Sequence, residues 1–185
     1  MRFKNFILDV DGVFTDGKFH YTSEGKSLKT FGDADNDALS LIRDYIHIEM
    51  ISGDKRGYGI TKRRIQDDMG YPLSQVSTFQ RKNWIEERFD LRETIYMADG
   101  IYDVLVFDVI GFSIAPANAF PNTKKAANLV TDARGGEGAV AEACIYIMEN
   151  FLGMDFNTLI RSSIKNSGAW DSNITDLPPG KVSPQ

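Results

Sequence analysis

Two aspartates one residue apart close an apolar run in "FILDVDG", where Asp9 and Asp11 follow Phe6, Ile7 and Leu8. Other apolar runs end in similar fashion: Ser52 follows "IEMI", Lys82 follows "VSTFQR", and Asp99 and Asp103 follow "TIYMA". Taken singly, an aspartate after a strand is ordinarily a turn former or helix cap, Ser52 a turn residue, and Lys82 a solvated helix residue. Taken together, these residues recur at the same relative point of four separate stretches of chain. Carboxylates gathered at one edge repel one another unless a hard divalent cation lies between them, and oxygen donors without His or Cys favour Mg2+. Beside such a cation a carboxylate can act as nucleophile toward a phosphoryl group. Ser52 and Lys82 would then cradle the phosphate, and Gly12 would let the backbone approach it closely. Asp9 and Asp11 flank Val10, so at an extended strand end both acids can face one pocket while Val10 points into the core.

Such residues need a scaffold that brings distant strand ends together. Strand-like runs at 6–10, 46–51, 76–79, 94–97, 109–114 and 128–130 alternate with helical patterns at 37–45, 58–69, 82–88, 101–107, 123–127 and 137–151. This alternation predicts an α/β fold, a Rossmann-like, doubly wound and mainly parallel sheet with helices on both faces. In such sheets ligands gather beyond the carboxyl ends of the strands, where the chemical residues of this chain fall. The stretch "KFHYTSEGKSLKTF" departs from the alternation: two short runs flank a turn at "SEG", which predicts a projecting hairpin over about 18–31.

Length and composition agree with one domain. The chain has 185 residues, 42% of them hydrophobic and 25% charged, enough for a sizeable core in a single domain over 1–164. From about residue 165 the sequence turns to Gly, Pro, Ser, Asn and Asp, which predicts a flexible or partner-dependent tail over 165–185. The formal net charge is −5 and no long basic tract offers itself to nucleic acid. No run reaches the roughly 20 apolar residues needed to span a bilayer, and the N-terminal apolar run is too short for a signal peptide, so a soluble, cytoplasmic protein is expected. The single cysteine, Cys144, lies in an apolar helical pattern and reads as a core residue.

With these residues in view, the pattern resembles the haloacid dehalogenase superfamily of phosphotransferases. "DVDGVFTD" matches its DxDGxxTD motif, "MISG" the strand ending in Ser or Thr, Lys82 the lysine at a helix start, and "MADGIYD" the GDxxxD motif. The stretches "DGVFTDGKFHYTSEGKSLKTF" and "GFSIAPANAFPNTKKAANLVTDARGGEGAVAE" are similar to the 3-deoxy-D-manno-octulosonate 8-phosphate phosphatase group, so the resemblance covers about residues 3–152. It implies that Asp9 attacks phosphorus to form an aspartyl phosphate, while Asp11 protonates the leaving oxygen and then activates water. It further implies Mg2+ on the Asp9 carboxylate, the Asp11 backbone carbonyl and the Asp99 carboxylate, with Asp103 supporting Lys82 or the metal's water shell. Backbone amides from Val10 to Gly12 would add donors to the phosphate.

The intervals from Asp11 to Ser52 and from Ser52 to Lys82 leave no room for a cap domain, so the site needs another wall. In the group it resembles, neighbouring subunits of a homotetramer supply that wall through their hairpins, and the alternation of Phe19, Tyr21, Leu28 and Phe31 suits such an interface, unless these side chains pack on the protomer itself. The expected substrate is a phosphorylated sugar acid of the 3-deoxy-octulosonate 8-phosphate or nonulosonate 9-phosphate type, as in lipopolysaccharide biosynthesis. Departures from the group leave two further readings open. Ala98 and Gly100 alter the fourth motif, Tyr102 stands where Asn is common, Asp54 replaces the Arg of "TGR", and Ala141 stands where Arg is frequent. An Arg binds carboxylate through two parallel hydrogen bonds that Asp and Ala cannot make, although Lys55 or Arg56 could compensate. A phosphatase of another small sugar phosphate is one alternative. A non-catalytic oligomerisation module, as in sialic-acid-activating enzymes, is the other, and the intact set Asp9, Asp11, Ser52, Lys82 and Asp99 argues against it. The acidic run Asp33, Asp35 and Asp37 lacks the glycine and terminal Glu of a calcium loop and is read as helix capping, with Asp35 lining the site.

Overall fold

The computed structural model describes residues 2–158 and 160. Its centre is a six-stranded sheet in the order β5-β4-β1-β6-β7-β8, with every neighbouring pair parallel. The strands are β1 (Asn5–Asp9), β4 (His47–Ser52), β5 (Leu73–Gln75), β6 (Thr94–Met97), β7 (Phe112–Ala115) and β8 (Leu129–Val130), while β2 (His20–Thr22) and β3 (Gly25–Leu28) form the separate hairpin. The helices are α1 (Ala34–Ile42), α2 (Tyr58–Lys62), α3 (Arg81–Glu86), α4 (Val104–Phe107), α5 (Pro121–Ala126) and α6 (Ala139–Asn150). The expected α/β class, the parallel sheet and the lack of a cap domain among the described residues are all present.

Strand β1 shows why its central run, Phe6, Ile7 and Leu8, is apolar without alternation. Successive side chains point to opposite faces, and both faces are covered. Phe6 and Leu8 join Met50, Ile95 and Met97 against Leu39, Ile42, Val140 and Ile147 of α1 and α6. Ile7 points the other way, with Ile51 and Tyr96, onto Ile85, Val106 and Phe107 of α3 and α4. With β1 paired to β4 on one side and β6 on the other, the chain delivers Asp9, Ser52 and Asp99 to one edge of the sheet.

Three expectations need correction. The strand expected at 76–79 lies three residues earlier, as β5: buried Val76 follows it, and Thr78–Gln80 coil into a tight 3-10 turn that leads straight into α3. The helix expected over 58–69 is α2 followed by a wider π-helical segment, Arg63–Asp68. Asp35 does not line the site. Asp33 caps α1 by accepting from the Ala34 N–H, whereas Asp35 is buried between α1 and α6, where its Oδ1 accepts from the Ala141 N–H at 3.0 Å. The tail expected over 165–185 lies outside the described residues. Cys144 is buried in the core, as its pattern indicated.

In the hairpin, Phe19, Tyr21 and Leu28 are exposed, whereas Phe31 packs on the protomer's own core. No described helix is long and apolar enough to cross a membrane.

Burial pushes the Asp35 carboxyl up to about 6, against the partial compensation of the Ala141 and Val140 N–H groups. An acid whose folded-state value is raised stabilises the fold fully below its unfolded value and loses that contribution as the pH climbs through the folded one. Asp35→Asn, which keeps the acceptor without the charge, should therefore unfold about 2 kcal/mol later than the parent at pH 7.5, with the difference vanishing below about pH 4. Denaturant unfolding of both proteins across this range measures it.

Candidate active site

A cleft of about 340 Å3 opens at the carboxyl edge of the sheet, lined by Asp9, Asp11, Asp54, Arg81, Asp99 and Asp103 among others. Asp9 is the last residue of β1 and is almost fully buried. Its Oδ1 accepts from the Val10 N–H at 2.8 Å, and its Oδ2 lies 2.7 Å from Arg81 Nη1. Oxygens of Asp9, Asp99 and Asp103 lie within 4.8 Å of one another. Burial raises Asp9 to about 7 despite the attraction of Arg81, with Asp103 and Asp11 adding repulsion. Asp99 is raised to about 8, first by burial and then by the charges of Asp9 and Asp103.

These perturbations test whether a cation fits. A buried and a half-buried acid share a small space, their ionised forms disfavoured by desolvation and by each other, and the donors are oxygen alone. A hard divalent ion relieves that repulsion, and the donor set suits Mg2+ or a similar cation rather than a thiolate- or imidazole-loving one. Asp103 is the least free of the three, because its oxygens have the most partners. Tyr96 Oη donates to Oδ1 at 2.8 Å, the Gly100 N–H donates to Oδ2 at 3.0 Å, and Arg81 Nη1 lies 2.8 and 3.1 Å from the two.

Arg81 is the residue that sequence reasoning missed. The lysine expected to face phosphate, Lys82, is not among the residues lining the cleft; Arg81, one position earlier, is. The 3-10 turn at Thr78–Gln80 starts α3 at Arg81 and aims that side chain at the strand ends, and one residue of α-helix turns the next side chain about 100° away. The guanidinium is buried and holds Asp9 and Asp103 together, and its Nε has no partner among the described residues. The carboxylates of Asp9 and Asp103 push its pKa further up, so its charge is fixed. Asp103, expected to support Lys82 or the metal's water shell, pairs with Arg81.

Asp11 also lines the cleft, and its two oxygens have different partners. Ser52 Oγ donates to Oδ2 at 3.1 Å, and Lys29 Nζ lies 2.6 Å from Oδ1. Ser52, the last residue of β4, ends its strand at the same edge as Asp9, but it is fully buried and is not among the residues lining the cleft. The turn after β1 depends on glycine. Gly12 has φ +83°, and a Cβ built on it would lie 2.0 Å from Asp99 Oδ2. Only a residue without a side chain lets the turn pass under that carboxylate. Thr15 Oγ1 accepts from the Gly12 N–H at 3.0 Å, and Asn118 Nδ2 donates to the Gly12 carbonyl at 2.8 Å.

Asp54, which stands where the resembled group has arginine, also lines the cleft. Lys26 Nζ at 2.5 Å and Lys29 Nζ at 2.8 Å pair with its Oδ2, and hydrogen bonds from these lysines and from the Gly57 N–H hold it down to about 2 against the cost of burial. Lys55 and Arg56 are exposed and do not line the cleft. The cationic side chains on this wall come from the hairpin instead, a feature for which the local sequence offers only an unremarkable "GKSLK".

No protein-family model matches the chain. It is 32% identical over 155 residues to the 3-deoxy-D-manno-octulosonate 8-phosphate phosphatase KdsC of Haemophilus influenzae, covering 79% of this chain and 83% of that protein. Against the enzyme of the same name from Escherichia coli K12 the identity is 32% over 149 residues, covering 75% of each. Among solved structures, that of the Moraxella catarrhalis 3-deoxy-D-manno-octulosonate 8-phosphate phosphatase, in complex with magnesium, phosphate and KDO, superposes with a TM-score of 0.74 at 26% identity, covering 86% of this chain and 92% of that one. The cobalt-bound Haemophilus influenzae phosphatase gives a TM-score of 0.72 at 29% identity, covering 80% and 88%. A parallel sheet without a cap, an acidic cluster at its carboxyl edge and this degree of identity lead to one assignment: the chain belongs to the haloacid dehalogenase superfamily, within its 3-deoxy-D-manno-octulosonate 8-phosphate phosphatase group of phosphoric monoester hydrolases.

Proposed function

We propose that this protein is a Mg2+-dependent phosphatase of a phosphorylated sugar acid, of the 3-deoxy-octulosonate 8-phosphate or nonulosonate 9-phosphate type, with Asp9 as nucleophile and Asp11 as acid and base. The observation that carries the reading is Asp9 itself: a carboxylate buried at a strand end, clamped by Arg81 and facing Asp99 at the same edge as Asp11 and Ser52. The KdsC relatives are named as phosphatases of such a substrate, which supports its class.

In this mechanism the Asp9 carboxylate attacks phosphorus as the bond to the sugar oxygen breaks, and Asp11 gives that oxygen a proton. Asp11 then takes a proton from water as the water oxygen attacks phosphorus and the bond to Asp9 breaks, releasing inorganic phosphate and restoring both acids. Ser52 Oγ and the Arg81 guanidinium donate to the phosphoryl oxygens, with Arg81 Nε among the available donors. The Val10 and Gly12 N–H groups, expected among the phosphate donors, already donate to Asp9 Oδ1 and Thr15 Oγ1. Asp9 and Asp99, with the Asp11 backbone carbonyl, would hold Mg2+, and Asp103 supports the site through Arg81. Bound there, the cation would offset negative charge on the phosphoryl oxygens and on the clustered carboxylates.

The open cleft requires a second wall. We infer a homotetramer in the cytoplasm, with exposed Phe19, Tyr21 and Leu28 of the hairpin supplying the contacts.

A panel of phosphomonoesters enriched in 2-keto-3-deoxy sugar acid phosphates, with Mg2+ present, tests the reading. We expect turnover of a sugar-acid phosphate, slower turnover of p-nitrophenyl phosphate, and loss of both by at least about 10^3-fold in Asp9→Asn; no turnover across the panel sinks the proposal. Metal binding should also depend on pH. With Asp9 raised to about 7 and Asp99 to about 8, both hold protons that the cation must displace. Titration calorimetry should therefore show Mg2+ affinity rising from pH 6 to 8 and levelling above that, with proton release at pH 7 revealed by buffers of different ionisation enthalpy.

A further inference from the structure

Lys29 stands one residue beyond the hairpin strand β3, and its side chain is completely buried. It does not line the cleft. An ammonium has three N–H donors, and three oxygens meet this one: Asp11 Oδ1 at 2.6 Å, Asp54 Oδ2 at 2.8 Å and Thr61 Oγ1 at 2.8 Å. Burying a lysine costs several kcal/mol unless its charge is paired and its donors are used. A buried lysine that donates to Thr61 Oγ1 and forms ion pairs with Asp54 and Asp11 is a built feature that the phosphoryl chemistry above leaves without a role.

The two oxygens of Asp11 have unequal partners. Oδ2 accepts from Ser52 Oγ at 3.1 Å, a hydroxyl that a substrate phosphoryl group would claim. Oδ1 is held by an ammonium that Asp54 and Thr61 anchor from behind. We propose that Lys29 is a positioning residue: by fixing Oδ1 it orients the Asp11 carboxyl and makes Oδ2 the oxygen that exchanges protons with the leaving group and water. This deepens the function proposed above and rests on it. When phosphate enters and takes the Ser52 hydroxyl, Oδ2 is released toward the leaving oxygen while Oδ1 stays in place. Oδ2 gives up its proton as the bond from phosphorus to the sugar oxygen breaks, and regains one from the water that cleaves the Asp9 phosphate.

The role predicts a dependence on the leaving group. The ratio kcat/KM covers the steps through leaving-group departure, so it isolates proton donation by Asp11 from the later attack of water. A sugar alkoxide needs that proton, whereas p-nitrophenolate departs with little help. Lys29→Met should lower kcat/KM for the best alkyl phosphate of the panel about 100-fold, and that for p-nitrophenyl phosphate less than about 10-fold. In an Asp11→Asn background the same change should cost the alkyl phosphate less than about 3-fold, since a residue acting through Asp11 has nothing left to position. Thr61→Val removes one anchor of Lys29 while keeping the side-chain shape; it should show the same pattern at about 5-fold, and it carries the test if Lys29→Met does not fold. Thermal unfolding of each variant accompanies the kinetics. Equal losses on both substrates, or full additivity with Asp11→Asn, would overturn the role of Lys29. Wild-type turnover of the panel reports separately on the proposed function.

Discussion

Crowded negative charge at the end of β1 and β6 is the constraint on which the site depends. Asp9, Asp99 and Asp103 bring oxygens within 4.8 Å of one another in a place where water is largely excluded. Left alone, such a group would protonate or pull the strand ends apart. Arg81 answers part of the repulsion by contacting Asp9 and Asp103 at once, and Tyr96 and the Gly100 N–H occupy the rest of Asp103. Asp99 has no cationic side chain of its own in this set, so the balance is left open by about one cation. The protein is thereby folded around a charge deficit that is useful only when something positive fills it.

Holding that deficit in place takes support from distant parts of the chain. Phe120 donates its N–H to the Asp99 carbonyl at 2.9 Å, and Thr123 Oγ1 donates to the Gly100 carbonyl at 2.7 Å, so the loop after β7 and the start of α5 brace the turn after β6. Asn118 joins the Gly12 carbonyl to the Gly135 N–H, at 2.8 and 2.6 Å. A Cβ on Gly135 would lie 2.0 Å from the Gly12 carbonyl oxygen, so the loop between β8 and α6 presses directly on the turn after β1. Such contacts between loops that belong to different strands explain how a site built on turns remains in register.

Much of this was legible because periodicity reports burial. A strand covered on both faces is mostly apolar until it ends, and the polar residues that follow the run mark the edge where ligands gather; Asp9 and Asp99 follow that logic, and Ser52 does so despite Glu49 within its strand. It failed where the answer depended on rotation or on contacts distant in sequence. Lys82 and Arg81 are both basic and adjacent, and only the 3-10 turn before α3 decides which one faces the cleft. Asp35 looked like a residue of the site because it belongs to an acidic run, yet its neighbour is the Ala141 N–H of α6, 106 positions away. Lys29 left no local trace, since its three partners come from three other segments and its own surroundings read as ordinary hairpin.

The hairpin's attachment bears on how such an enzyme can be redesigned. Without a cap, the natural segment to exchange for new selectivity is the excursion that carries Phe19 and Lys26 to the cleft. Its base is not a free joint. Lys26 and Lys29 both end on Asp54, after β4, and Lys29 also on Thr61 in α2. A grafted loop that omits these partners would strand a half-buried carboxylate or a buried ammonium. The transferable module is therefore discontinuous: the hairpin together with the turn and first helix beyond β4, moved as one electrostatic unit.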